Sequence, residues 1–271
     1  MKVNIKMSEF FLELFSEEIP SRLQINARKS LLESFKNFFE ENEVSVKGNI
    51  NVFSTPNRLV VHIDKITKQI SKKSEEIRGP NIKSPVEALE GFLRSNNIKK
   101  VQVFIKKTEK GEFYFYKKPS QKIKTADLLK NKIPYILSKI TWNKSMRWGD
   151  HNLFWGRPLK SILCVFNGKK LDFNFNHLKS SNTTFINKEL EEKTKGFISF
   201  KSYNSFFKSL GILVDQEKRK SFISNEIIKL STKKKLNIDL KKELLEEITN
   251  IVEKPKILFC EFDKKYLMIP K

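Results

Sequence analysis

Three histidines, two cysteines and 31 acidic residues are the raw material for catalysis in this 271-residue chain. His62, His151 and His177 are scattered, and none has a second ligand at metal-binding spacing. Cys164 and Cys260 sit in the apolar runs "SILCVF" and "ILFCEF". Both are expected to be buried small hydrophobes, with no disulfide framework or zinc site. "SEEIP" and "LLEEI" each hold two adjacent acids. Adjacent side chains diverge on a helix or a strand, so neither pair is a ready acid–base couple. The sequence contains no glycine-rich phosphate loop, dinucleotide fingerprint or nucleophile elbow. A self-contained catalytic constellation is therefore not expected.

The informative residues are Gly, Pro, Arg and Trp. The stretch Ser145–Pro158, "SMRWGDHNLFWGRP", concentrates two Trp, two Arg, two Gly, one His and one Pro. Arg147 and Arg157 can present guanidinium forks to nucleic-acid phosphates. Trp148 or Trp155 can stack on an unpaired base. The same residues can instead build a rigid corner, with Gly making turns, Trp filling a core and Arg paired to carboxylates. Exposed Trp and Arg also suit a protein interface. Arg58 and Arg78, each beside a proline-bearing turn, carry the same alternatives.

The elements that must position these residues follow from periodicity. "FFLELFS" (Phe10–Ser16) reads as a strand interrupted only by Glu13. Leu23, Ala27, Leu31, Phe35 and Phe38/Phe39 fall at helical spacing, with Ser21 near the N-cap. "INVFSTPNRLVVHIDKI" reads as two strands about a Thr55-Pro56-Asn57 turn. Ser74–Pro85 reads as a loop, Val86–Arg94 as a short helix, and "VQVFIKKTEKGEFYFYKK" as a hairpin. A helix from Thr125 carries Leu128, Leu129, Ile133 and Ile136/Leu137, with a kink expected at Pro134. A second hairpin turns at Asn167-Gly168. Ser202–Leu210 is expected to be helical, "GILVD" a strand, and Asp215 the cap of a helix bearing Phe222/Ile223, Ile227 and Leu230. "STKKKLN" reads as a link. Asp239 is expected to cap a last helix with Leu240, Leu244, Ile248 and Ile251/Val252 on one face, followed by a strand "KILFCEF". Irregular alternation with hairpins predicts an α+β fold with mixed sheets and packed helices.

The formal net charge is +22, from 53 Lys and Arg against 31 Asp and Glu. Such a surface attracts phosphates through counterion release. Joint enrichment in Lys, Asn, Ile and Phe also fits an AT-rich coding sequence, so charge alone does not decide. No apolar run approaches the roughly 18 residues of a membrane span, and the N-terminus lacks a secretory pattern. The expectation is a cytoplasmic protein that does not enter a membrane.

Taken in order, several strings resemble the β subunit of the bacterial-type, two-subunit glycyl-tRNA synthetase. They are "FFLELFSEEIPS", "STPNRLVV", "IRGP", "KGEFYFY", "MRWGD", "FWGRPLKSIL", "GILVDQEKRKSFI" and "LLEEITNIVEKPKILFCEFDKKYLMIP", spanning Met7 to Lys271. The resemblance implies domains similar to those of the phenylalanyl-tRNA synthetase β chain. It implies a subunit that binds tRNA(Gly) and an α subunit in a hetero-oligomer. The α subunit would hold ATP, with Mg2+, and glycine, so no cofactor is expected in this chain and no residue of it is expected to be catalytic. Arg58, Arg78, Arg147, Trp148, Trp155 and Arg157 become candidates for tRNA or partner contacts. The expected organisation is an extension at 1–6, an α+β domain at 7–145 and a second, incomplete one at 146–271. Family chains continue into an HD-like domain and an anticodon-binding domain, so anticodon contacts are expected to be missing. This chain also departs from the family pattern at Asn57, at "NTTF" (Asn182–Phe185) and at Lys254. A different class of reading is a stand-alone or degenerate nucleic-acid-binding module without ligase activity.

Overall fold

The computed structural model describes residues 6–187, 193–263 and 265–266. Residues 1–5 of the expected extension lie outside them. Two compact units are present: residues up to Lys68 together with those from Ala126 onward, and the intervening Gln69–Thr125. The expected boundary at 145/146 falls inside the first unit.

The first unit opens with β1 (Met7–Ser16), α1 (Ser21–Glu41), β2 (Val46–Ser54) and β3 (Arg58–Thr67). Every residue of β1 from Phe10 to Phe15 is buried, because the strand lies at the centre of its sheet and both faces are covered. α1 starts at the expected residue, but its cap is Pro20, which gives no side-chain hydrogen bond. Its buried Leu31 and Phe35 include the partner of Phe10, ring centroids 5.6 Å apart. The β2–β3 connection is the expected tight turn, with Thr55 and Arg58 exchanging backbone hydrogen bonds.

The second unit contains β4 (Gln69–Lys72), β5 (Glu75–Asn81), α2 (Val86–Asn96), β6 (Val103–Thr108), β7 (Gly111–Lys118) and β8 (Gln121–Lys124). β5, β7 and β6 form an antiparallel sheet in that order, and β4 pairs with β8. The segment expected to be a loop from Ser74 is therefore largely strand. Gly79 and Pro80 are accommodated at a register shift between Arg78 and Asn81.

The first unit resumes with α3 (Thr125–Ser138), which runs continuously through Pro134. β9 (Leu159–Phe166) and β10 (Lys169–Lys170) follow, joined by Asn167 and Gly168, both at positive φ as a type I′ turn requires. The five-stranded antiparallel sheet has the order β10-β9-β1-β3-β2. Two small ribbons come next: β11 (Asn174–Phe175) with β12 (Leu178–Lys179), and β13 (Thr183–Asn187) with β14 (Lys193–Gly196). The chain continues with α4 (Phe200–Ser209), α5 (Gln216–Lys234) and α6 (Lys242–Ile251). Phe11, Val60, Leu163 and Val165 of the sheet pack with Tyr203 and Phe207 of α4 in one buried cluster.

Asp215 caps α5 as expected, accepting from the amides of Glu217 and Lys218. Five expectations need correction. α5 extends through most of the lysine-rich link, since Lys is a good helix former and favours a helix C-terminus. α6 begins at Lys242, beyond the reach of Asp239; it buries Leu245, Thr249 and Asn250 while Leu244 and Ile251 stay exposed. "GILVD" is a connector that begins in a turn and whose Val214 enters the core, not a strand. "KILFCEF" forms no strand, and Cys260 is exposed whereas Cys164 is buried in β9. The architecture is α+β, and no helix among the described residues is long and apolar enough to cross a membrane.

Candidate nucleic-acid and partner interface

Three of the motif strings meet at one corner of the first unit. The amide of Ser16 donates to the Asn57 carbonyl at 2.8 Å, Glu17 to Pro158 at 2.9 Å and Ile19 to Pro56 at 2.7 Å. "SEEIP", "STPNR" and "WGRP" are thus knitted by main-chain bonds that any substitution sparing the backbone would keep. They surround a cleft of about 620 Å³ lined by Glu17, Glu18, Ile19, Pro20, Pro56, Arg157 and Ile251. Arg157 is half-buried there and donates to the Gly156 carbonyl at 2.8 Å. Lys160 pairs with Glu17 at 2.8 Å. Gly156 is explained by a close approach: a Cβ there would clash with the Trp142 ring.

Arg58 and Trp155 are interior residues. Trp155 packs on Trp142 and Phe175, with ring centroids at 5.0 and 5.8 Å. Arg58 lies beneath the corner, its guanidinium between the rings of Phe15 and Phe207 at 4.7 and 4.2 Å. It pairs with buried Glu13 at 3.0 Å and donates to Thr184 Oγ1 at 3.1 Å and the Phe185 carbonyl at 2.7 Å. The Tyr203 hydroxyl donates to the same Glu13 oxygen, Oε2, and the Thr184 hydroxyl donates to Oε1. Burial opposes the Arg58 charge, but Glu13, Tyr203 and Glu253 outweigh it and hold the guanidinium above its ordinary range. Burial, with Glu13 beside it, pushes the Tyr203 phenol up.

A second polar seam fastens the C-terminal helices to the sheet. Arg219 of α5 is fully buried and donates to the carbonyls of Thr249 and Ser54, each at 2.8 Å. Burial lowers its pKa to about 10, which leaves it charged at neutral pH. Gln24 of α1 donates to the carbonyls of Ile19 and Asn250 at 2.7 and 2.6 Å and accepts from Ser54. Sequence reasoning missed this seam and the Glu13–Tyr203 contact. Glu13 carried the signal, since a charge inside an otherwise apolar, two-sided strand demands a partner.

Three candidates are near or at the surface. Arg78, in the second unit, is exposed and lies 3.6 Å above the Phe113 ring. Arg147 is exposed and Trp148 half-buried, the latter edge-on to His177 at 5.9 Å. His177 also stacks on His151, which the sequence gave no reason to place beside it. Among the described residues no three His, Cys, Asp or Glu side chains gather as a metal site.

The residues that build this corner lie within the match to a known family's profile. The profile described as "Glycyl-tRNA synthetase beta subunit" matches residues 10–271. The chain belongs to that family. Among curated relatives, the "Glycine--tRNA ligase beta subunit" of Rickettsia prowazekii (strain Madrid E) is 35% identical over 265 residues. That of Rickettsia conorii (strain ATCC VR-613 / Malish 7) is 34% identical over the same length. In both cases the match covers 98% of this chain and 40% of the relative. This family member therefore spans about two fifths of the length of the curated relatives it matches.

Proposed function

We propose that this chain acts as a β-subunit portion of a glycine–tRNA ligase, binding tRNA(Gly) and the α subunit in a hetero-oligomer. In this role it supports ATP-dependent attachment of glycine to tRNA, with ATP, Mg2+ and glycine held by the α partner. The observation that carries the reading is the family match along residues 10–271.

The candidate residues fall into two groups in this reading. The corner cleft presents Glu17 and Glu18 beside the single guanidinium of Arg157. That balance disfavours phosphate and suits a protein partner, which can bury Ile19 and Ile251 as well. Arg147 with Trp148, and Arg78 over Phe113, sit on an otherwise lysine-rich chain and suit RNA. Arg58 and Trp155 serve the interior of the first unit.

Filter binding of labelled tRNA(Gly) across a salt series tests the RNA half of the reading. Specific retention whose logarithm falls linearly with the logarithm of salt supports it. Retention absent at about 50 mM salt, where phosphate contacts are strongest, refutes it.

A further inference from the structure

We propose that the ring cluster Trp148–His177–His151 is a seat for an unpaired nucleobase of RNA. The proposal rests on the RNA-binding reading above and assigns it a place and a ligand moiety. His151 and His177 come from different elements, the loop before β9 and the tip of the β11–β12 hairpin. Their rings are nonetheless parallel within 6° and 3.5 Å apart, the geometry of one base on the next. His177 is exposed and His151 and Trp148 are half-buried, so the rings are not consumed by a core.

The platform is held from below and from the side. Trp155, at the end of the loop, packs against Phe175 at the start of the hairpin. Gly149 takes φ +53°, and the amide of His151 returns to the Trp148 carbonyl at 3.4 Å, bringing both rings to one side of a tight turn. Asn176, at φ +52°, accepts from the His177 amide at 2.9 Å through Oδ1, which also lies 3.2 Å from the His177 Nδ1. The ring orientation is thereby set before any ligand arrives, which lowers the ordering cost of binding.

A cleft of about 310 Å³ opens between this loop, the hairpin and the end of α3; the three rings are not in its lining, but their chain neighbours Asn152 and Asn176 are, with Leu137 and Phe154. Its size falls at the lower end of the about 300–1,000 Å³ of small-ligand clefts. Phe154 is 63% exposed beside it. Asn152 offers an amide able to read a base edge, and Asn176, whose Oδ1 is held by His177, offers its NH2 group. Exposed Arg147, next to Trp148 in the same turn, supplies a cation for a flanking phosphate, with exposed Asp150 the acid of that turn. Rings in parallel stack, amides near them and a cation beside them are elements of single-strand recognition.

The test uses the full chain with three RNAs: tRNA(Gly), an unstructured eight-residue oligoribonucleotide, and a blunt RNA duplex. Histidine Cε1–H NMR signals report the site, and His62, held against Glu9 and Phe200, serves as an internal control. The expected result is that the oligonucleotide shifts His151 and His177 but not His62. His177→Ala should weaken oligonucleotide binding about tenfold and leave duplex binding unchanged, and His177→Phe, which keeps a ring, should restore it. If tRNA binds while His151 and His177 do not move, the seat is refuted and the RNA-binding reading stands. Equal loss of duplex and single-strand binding in His177→Ala also refutes it, leaving only electrostatic attraction. If no RNA binds and the signals respond only to the α subunit, both readings fail and the rings are a protein contact.

Discussion

Arg58 of β3 and Glu13 of β1 form an ion pair at 3.0 Å with side-chain exposures of 1% and 0%. The pair lies beneath the corner where "SEEIP", "STPNR" and "WGRP" are joined, so the arginine beside the proline turn works inward. Removing one partner leaves the other charge buried and uncompensated. Arg58→Ala should therefore cost about 3–5 kcal/mol in urea unfolding. Arg58→Lys should recover only part of this, because an ammonium cannot reproduce the planar contacts with Phe15 and Phe207.

Tyr203→Phe removes one donor to the same buried carboxylate and keeps the ring packing. The loss should be smaller, about 1–3 kcal/mol. A double-mutant cycle of Tyr203→Phe with Glu13→Gln should show coupling, since the two groups share one hydrogen bond.

Gly156→Ala tests the corner's close approach. Its Cβ would clash with the Trp142 ring, so the indole must move. The expected cost is about 1–3 kcal/mol, with a changed near-ultraviolet circular dichroism signal from the Trp142–Trp155 pair. An unaltered spectrum and melting curve would contradict the packing described.

The two thiols should behave differently. Cys260 is exposed, whereas burial pushes the Cys164 thiol well above its ordinary range. One thiol per chain should react with a thiol reagent in the native state and two after denaturation.

His177 should titrate below the ordinary histidine value of 6.5, because partial desolvation and then the neighbouring His151 disfavour its charge. His151→Ala should move its NMR titration midpoint back up. A depressed histidine leaves the unfolded chain binding more protons just below 6.5, so this group's contribution to stability is complete above 6.5 and declines as pH falls from there toward the folded midpoint.

Much of this fold is legible because its signals are local. The apolar run of β1, the Asn167-Gly168 turn and the Asp215 cap each act within a few residues. What stayed hidden is long-range or depends on a partner. Glu13 is 45 residues from Arg58 and 190 from Tyr203, and no spacing rule connects them. β5 was masked by Gly79-Pro80, which a bulge accommodates once β7 provides a ladder. "KILFCEF" has the composition of a strand, but a strand also needs a neighbour, and this segment pairs with none among the described residues. Of the candidate site, the corner strings were visible in sequence. Which arginine turns inward, and the meeting of His151 with His177, required the tertiary structure.

The most direct test of the central claim is sedimentation of fluorescently labelled tRNA(Gly) with this chain and the glycine–tRNA ligase α subunit, alone and together. A fast-sedimenting species containing all three, formed only when this chain is present, is the predicted result. Labelled tRNA that sediments unchanged with both proteins present, while this chain and the α subunit also sediment separately, would contradict the account.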